Sequence, residues 1–250
     1  MKKILGISIL LVLLVTSCGR PAAEHSSDQH PEELKKIFEA HGGYGQWQKM
    51  DKLSYSISDD EKHLISLKDR RARIDSDKGS MGFDGQKVWI SPDSADLRNP
   101  HMYYNLYFYF FAMPFVLGDP GINYEQVAPK EFKGKLFNGL KISYDGGVGN
   151  SPEDNYIVYY DPETYQMEWL MYTFTYTSQE SNDDYRLIKY DRWGTYNGIK
   201  LPVSLQWYTF AEDEVGDVRK EMKFERVILA STPPDESEFE VPEGGKIVSP

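Results

Sequence analysis

Two hydrophobic periods divide this chain. Between Pro31 and Gly43 the positions Leu34, Ile37, Phe38 and His41 recur at helical spacing. Pro31 suits a first helical turn, where its missing N–H costs nothing, and Gly42-Gly43 ends the run. Trp47 and Met50 belong to a short second turn beside it. From Lys52 the period shortens to two. Leu53, Tyr55 and Ile57 alternate with Ser54, Ser56 and Ser58, the signature of a half-buried strand. His63, Ile65 and Leu67 continue the alternation, as do Ala72 and Ile74, and Phe83, the Asp84-Gly85 turn and Val88-Trp89-Ile90 read as a hairpin.

The second half repeats the theme with longer strands. Leu136, Leu140, Ile142 and Tyr144 share a face of a strand that stops at Asp145-Gly146-Gly147. Tyr156 to Tyr160 and Tyr165 to Thr177 flank a turn in which Pro162 presets φ. Arg186 to Tyr190 and Leu201 to Phe210 flank another turn, and in the latter strand Leu201, Val203, Leu205 and Trp207 share one face. Met222 to Leu229 and Phe239 to Val248 supply the last extended pieces. About ten strands with few helices predict a mainly β (α+β) fold, a large curved antiparallel sheet or incomplete barrel with an N-terminal helix.

One segment breaks both periods. Residues 102–117 are nearly all apolar or aromatic, with no alternation and no polar face, so they need burial on every side. As a helix the segment starts near Asn99-Pro100 and bends or stops near Pro114. Two readings stay open: a solid plug in the concave face of the sheet, or a lid over an apolar cavity. In the second, Tyr103, Tyr107, Phe108, Phe110, Phe111, Met113 and Phe115, with Trp89 and Trp207 from the strands, form an adaptable wall for a lipid or acyl chain.

The N-terminus carries a different signal. Lys2-Lys3, an apolar run from Ile4 to Val15, and Val15-Thr16-Ser17-Cys18 have the form of a bacterial lipoprotein signal peptide, with Cys18 as the lipidated first mature residue. Roughly a dozen apolar residues fall short of the ~20 needed to cross a bilayer. The expected organisation is a signal peptide over 1–17, a lipidated cysteine and flexible tether over 18–31 with His25 and His30 solvated, and a single β domain over 32–250. Gly19-Arg20-Pro21 brings no acidic run after the cysteine, which favours the periplasmic face of the outer membrane.

Charge then narrows the partners. Lys plus Arg number 28 against 39 Asp plus Glu, a formal net charge of −11, so nucleic acid is not expected and the acyl anchor is left as the membrane link. The one cysteine allows no internal disulfide. No nucleophile elbow, phosphate-binding glycine loop, zinc motif or EF-hand appears, so neither an enzyme nor a cofactor or metal is expected. His41, His63 and His101 lack metal-ligand spacing. Asp59-Asp60-Glu61, Asp183-Asp184 and Glu212-Asp213-Glu214 read as solvated turns. Asp84, Asp119, Asp145 and Asp191 could meet as a hydrolytic pair only through the fold, and turn chemistry explains Asp84 and Asp145 more simply. The basic cluster Lys68, Arg70, Arg71 and Arg73 could meet a phosphate headgroup at a cavity mouth, although an exposed hairpin flank is favoured.

His41-Gly42-Gly43 with Trp47, the hairpin Phe83 to Ile90, the aromatic block Tyr103 to Leu117 and Asp119-Pro120-Gly121-Ile122 resemble the uncharacterised Bacteroidota envelope proteins grouped as domain of unknown function 6503. More distantly, Asp161-Pro162, Gly198 to Pro202 and the ending Phe239 to Val248 look like the LolA/LppX-like superfamily of lipoprotein carriers. That resemblance implies an incomplete antiparallel barrel covered by helices, with acyl chains held between sheet and lid. It suggests a lipid-anchored envelope protein that binds an apolar ligand; the alternative is a structural or protein-interaction lipoprotein in which the aromatic segment is solid core. The carrier's interior lid-controlling arginine has no counterpart legible in the sequence.

Overall fold

The computed structural model describes residues 30–92, 99–144, 154–176 and 182–249. The signal peptide, Cys18 and His25 lie outside the described residues, as do the turn at Asp145 and the strand end expected at Thr177.

Two helices open the fold, α1 (Glu32–Ala40) and α2 (Tyr44–Trp47), with Leu34, Ile37 and Phe38 facing inward as the helical period requires. Five strands follow: β1 (Lys52–Ser56), β2 (Lys62–Ser66), β3 (Ala72–Ser76), β4 (Gly79–Phe83) and β5 (Val88–Ile90). Helix α3 (Pro100–Phe111) and a 3₁₀ turn at Phe115–Gly118 come next. A run of seven strands then forms a meander: β6 (Ile122–Phe132), β7 (Lys135–Tyr144), β8 (Tyr156–Tyr160), β9 (Met167–Tyr172), β10 (Arg186–Tyr196), β11 (Ile199–Ala211) and β12 (Glu214–Lys223). The chain closes with β13 (Glu225–Ala230), a 3₁₀ turn at Glu236–Phe239 and β14 (Lys246–Ile247).

These strands make two seven-stranded antiparallel sheets. Sheet A runs β13-β1-β2-β3-β4-β5-β14 and sheet B runs β12-β11-β10-β9-β8-β7-β6. The chain passes from the edge of sheet B to the edge of sheet A at Phe224, between β12 and β13, so the two sheets continue into one open, curved surface. Its concave face, α1, α2 and α3 enclose the main core. The fold is therefore mainly β, an incomplete antiparallel barrel with the aromatic helix over its hollow, as the sequence predicts.

Four departures are informative. Strands β6 and β12 are not evident in the hydrophobic pattern, and they are the two edges of sheet B, where solvent reaches both faces and alternation loses its cause. Leu136, expected beside Leu140 and Ile142, is 55% exposed, because β7 extends beyond the core at that end. The opposite parity of sheet B is not bare. Phe132, Phe137, Tyr159, Trp169 and Leu187 form a second apolar cluster on its outer face, where the β6–β7 and β11–β12 hairpins meet through Lys130 and Asp213 at 3.0 Å. Finally, His30 is buried rather than solvated. Its ring meets Phe38 at 5.4 Å and Tyr44 at 5.0 Å, and Nε2 lies 3.3 Å from the Gly118 carbonyl, because the chain crosses the end of the core before Pro31 starts α1.

The His41-Gly42-Gly43 corner has a packing cause. Gly42 adopts φ +105°, and a Cβ there would stand 2.1 Å from the Gly198 carbonyl oxygen, so only glycine lets the corner seat on the β10–β11 turn. The His41 carbonyl accepts from the Lys200 N–H at 2.8 Å. His41 Nδ1 donates to the Ile37 carbonyl at 2.7 Å, and burial lowers the ring's pKa from 6.5 to about 4, keeping it neutral.

Candidate functional site

Helix α3 starts where Asn99 caps it, its side chain accepting from the His101 N–H at 3.1 Å, with Pro100 in the first turn. It ends at Phe111, short of the cis Met113-Pro114 peptide. Its underside is filled. Phe111 stacks on Phe224 at 4.2 Å and tilts against Tyr55 at 4.6 Å. Beyond the helix end, Phe115 lies between Trp47 at 4.9 Å and Phe38 at 6.0 Å, and both Phe111 and Phe115 are 0% exposed. Phe108 and Met113 are equally part of this core.

Toward sheet A the helix is also fastened by polar contacts. Tyr103 Oη donates to Glu61 at 2.8 Å, and His63 Nε2 lies 2.8 Å from the same carboxylate oxygen while its ring stacks on Tyr55. Glu61 is thus a buried-side acceptor, where the sequence pattern suggests only a solvated turn. On the other flank Arg70, at φ 62° in the β2–β3 turn, places Nη2 2.6 and 2.7 Å from the two oxygens of Asp119 and its guanidinium 4.9 Å from the Phe108 ring centroid. The basic cluster therefore splits into local pairs. Arg71 meets Asp69, Arg73 meets Asp75, and Lys68 bonds the Gln48 carbonyl and lies 3.5 Å from Asp51.

Toward sheet B the helix leaves a gap. A cleft of 620 Å³ opens between α3 and strands β9 to β12, walled by Met102, Leu106, Tyr107 and Phe110 on one side and Tyr172, Phe174, Trp207 and Tyr208 on the other. Phe110 meets Tyr172 edge-on at 5.1 Å and Trp207 at 6.0 Å, and Trp207 Nε1 donates to Tyr172 Oη at 3.1 Å. This bond leaves the indole and phenol presenting rings rather than polar tips. Burial raises the Tyr172 pKa, so its hydroxyl stays neutral. Asp184, Tyr185, Arg186, Phe210, Arg219 and Lys220 complete the lining. A second recess of 570 Å³ lies on the far flank of α3, at Tyr44, Trp47, Tyr109, Arg70 and Asp119, and shares no residue with the first.

The sequence-predicted wall is thereby divided. Tyr107, Phe110 and Trp207 line the 620 Å³ cleft. Tyr103 borders a smaller recess of 200 Å³ with Glu61. Phe108, Phe111, Met113 and Phe115 are core and touch neither. Trp89 does not belong to the wall. Strand alternation turns it to the outer face of sheet A, where Nε1 donates to the Phe239 carbonyl at 2.9 Å under the C-terminal 3₁₀ turn. Met102, Leu106, Tyr172 and Arg186 are wall residues that sequence reasoning missed. Tyr172 was legible as an inward strand position; Arg186 was not, being a charged residue at a strand start.

Among the described residues no group of three His, Cys, Asp or Glu is placed to hold a metal ion. His101 Nε2 lies 3.1 Å from the Val248 carbonyl. Asp84 accepts from the Gln86 and Lys87 N–H groups, a turn role, and Asp119 is held by Arg70. Among the described residues that line the cleft, Asp184 is the one carboxylate.

Residues 78–216 match the model of a family described as a family of unknown function, DUF6503. No curated protein matches the chain. Among solved structures, the chain is similar to a LolA superfamily protein from Nitrosomonas europaea, at 8% identity over 83% of this chain and 96% of that one, with a TM-score of 0.50. It is also similar to a DUF1329 family protein from Desulfovibrio piger, at 10% identity over 84% and 98% of the two chains, with a TM-score of 0.48. A third is a putative outer membrane lipoprotein-sorting protein domain from Vibrio parahaemolyticus, at 9% identity over 83% and 94%, with a TM-score of 0.39. The likeness to the Nitrosomonas protein is one of fold.

Proposed function

The chain belongs to DUF6503, a family of unknown function, and we propose that it is a lipid-anchored envelope protein that binds an apolar chain, such as a lipid or lipoprotein acyl group, beside helix α3. The observation that carries this reading is the aromatic cleft of 620 Å³ between α3 and sheet B. Ligand sites commonly occupy roughly 300–1,000 Å³ and combine apolar walls with a few polar groups. The ligand lies against Tyr107, Phe110 and Trp207, while Phe108, Phe111, Met113 and Phe115 support that wall from below. Residues 32–250 act as one LolA-like unit, tethered through residues 18–31 to an acyl group on Cys18 and facing the periplasm from the outer membrane. The protein works as a binder, with no catalytic step; trafficking of the bound chain requires an affinity that differs between two states of the cleft.

Two measurements test this. Palmitate labelling in cells should vanish in Cys18→Ser. The mature protein carrying that substitution, purified from the envelope compartment without detergent, should release a stoichiometric lipid into organic solvent. Absence of lipid together with no uptake of dansylaminoundecanoic acid would remove the ligand reading. It would favour a second one, a structural or protein-interaction lipoprotein, which the packing at the end of α3 supports: Phe111, Phe115 and Leu117 are fully buried.

A further inference from the structure

Strand β12 carries Arg219 and Lys220 side by side, and neighbours on a regular strand point to opposite faces. Here the register shifts: Trp207 pairs with Lys220 and Tyr208 with Val218, leaving Arg219 as the extra residue of a bulge. A bulge re-aims side chains and bends the strand, and Arg219 and Lys220 both line the cleft. Lys220 Nζ donates to Tyr107 Oη at 3.3 Å and stands 5.1 Å from the Trp207 ring centroid, which places an ammonium over the cleft's aromatic wall. Arg186, on β10, joins them with its guanidinium 4.7 Å from the Phe174 ring centroid.

Three cations thus converge on one cleft of a chain with 39 acids and 28 bases. Elsewhere Arg70 is paired with Asp119, Lys130 with Asp213 and Arg226 with Asp59. Among the described residues no carboxylate forms an ion pair with Arg186, Arg219 or Lys220. Asp184 shares the lining, so the described lining carries three positive groups against one negative.

We infer that the cleft takes an amphiphile with an anionic head, a carboxylate or a phosphate, held by Arg186, Arg219 and Lys220 while its chain runs between Trp207 and Phe110 toward α3. The inference rests on the chain-binding reading and adds the head. Guanidinium groups match planar or tetrahedral oxyanions with paired N–H donors, and an ammonium adds a point charge. Because no ion pair among the described residues holds these three cations, an incoming anion gains their attraction without displacing a described carboxylate. The recess on the other flank lacks this property, since Arg70 is already spent on Asp119.

Fluorescence titration of the full mature chain separates head from chain. Three probes share one tail: dansylaminoundecanoic acid, its methyl ester and the corresponding alkyl phosphate. The charged probes should bind about ten-fold tighter than the ester, as charge-assisted hydrogen bonds imply. Arg219→Gln with Lys220→Gln, both exposed positions, should bring the charged probes to the ester's affinity and leave the ester unchanged. The better of the two charged probes names the head. Equal affinity for acid and ester in the unaltered protein overturns the anionic head but keeps chain binding; failure of all three overturns both. Displacement of the charged probe by inorganic phosphate, with the ester still bound, assigns the cations to a free anion and overturns the amphiphile.

Discussion

The two sides of helix α3 are built differently. Toward sheet A it rests on β3, β4 and β5, is fastened by Tyr103 to Glu61 and through Phe108 to Arg70, and buries Phe111 fully against Tyr55 and Phe224. Toward sheet B it is tied near its end, where Tyr190 Oη donates to the Phe110 carbonyl at 2.9 Å, and along the flank of Phe110 and Tyr107 it borders an aromatic cleft. A single aromatic helix therefore serves as core on one side and as wall on the other. The packed side answers to the plug inferred from its composition, and the side that borders the cleft is the one on which the proposed ligand would lie. Stability and ligand uptake should separate accordingly.

Phe111→Ala tests the closed side. Truncating a fully buried ring stacked on Phe224 should cost about 3–5 kcal/mol in urea unfolding, while probe affinity of the folded protein stays unchanged. Lost affinity at full stability would reverse the assignment of the two sides. The His41 corner is an attachment to sheet B that does not involve α3, and it supplies a control. Burial, aided by Lys200 and opposed by the Ile37 carbonyl, takes the folded ring's pKa from 6.5 to about 4. Below pH 6.5 the unfolded chain gains a proton that the folded ring refuses until about pH 4. Stability should therefore fall through that window by up to about 3 kcal/mol. Urea midpoints at pH 7 and pH 5 should show the loss, and His41→Gln should flatten it without altering uptake.

Phe110→Ala should do the opposite of Phe111→Ala. Its ring borders an existing opening, so the stability cost should fall at the low end for a buried ring, about 3 kcal/mol, whereas uptake of all three tailed probes should fall by about ten-fold or more. Asp119→Asn is the mildest change. It removes the charge from a pair that is about 30% exposed on both partners, costing about 1 kcal/mol, and should leave probe binding intact because Arg70 lies on the far flank of the helix. Altered binding there would mean that the far recess, not the cleft, holds the ligand.

Most of the fold was legible where one face of an element is buried and the other wet. Leu34, Ile37 and Phe38 revealed α1, and Leu53 and Tyr55 revealed β1, because burial on one side leaves a period in the sequence. The same reasoning fails at β6 and β12, the edges of sheet B, whose side chains meet water on both faces, and at Trp169 and Phe137, which found cover on the outer face from hairpins distant in sequence. The candidate wall was half legible. An unbroken aromatic run announces that α3 is covered all round, but periodicity is silent about which rings meet a packed neighbour and which meet a gap. Trp89 shows the limit: it was expected in the cavity wall, and its parity on β5 puts it under the C-terminal turn.

The sequence by itself determined the period of each buried element, the need to bury residues 102–117, the Gly42 corner and an acidic surface, because each follows from local sterics or from the partition of single side chains between water and protein. Tertiary structure alone decided that Phe111 is fully enclosed while Phe110, buried too, borders the cleft, that Arg70 is neutralised by Asp119, and that a bulge at Arg219 brings two adjacent cations to one cleft. Those outcomes depend on strand register and on distances between residues far apart in the chain, and a one-dimensional pattern carries neither.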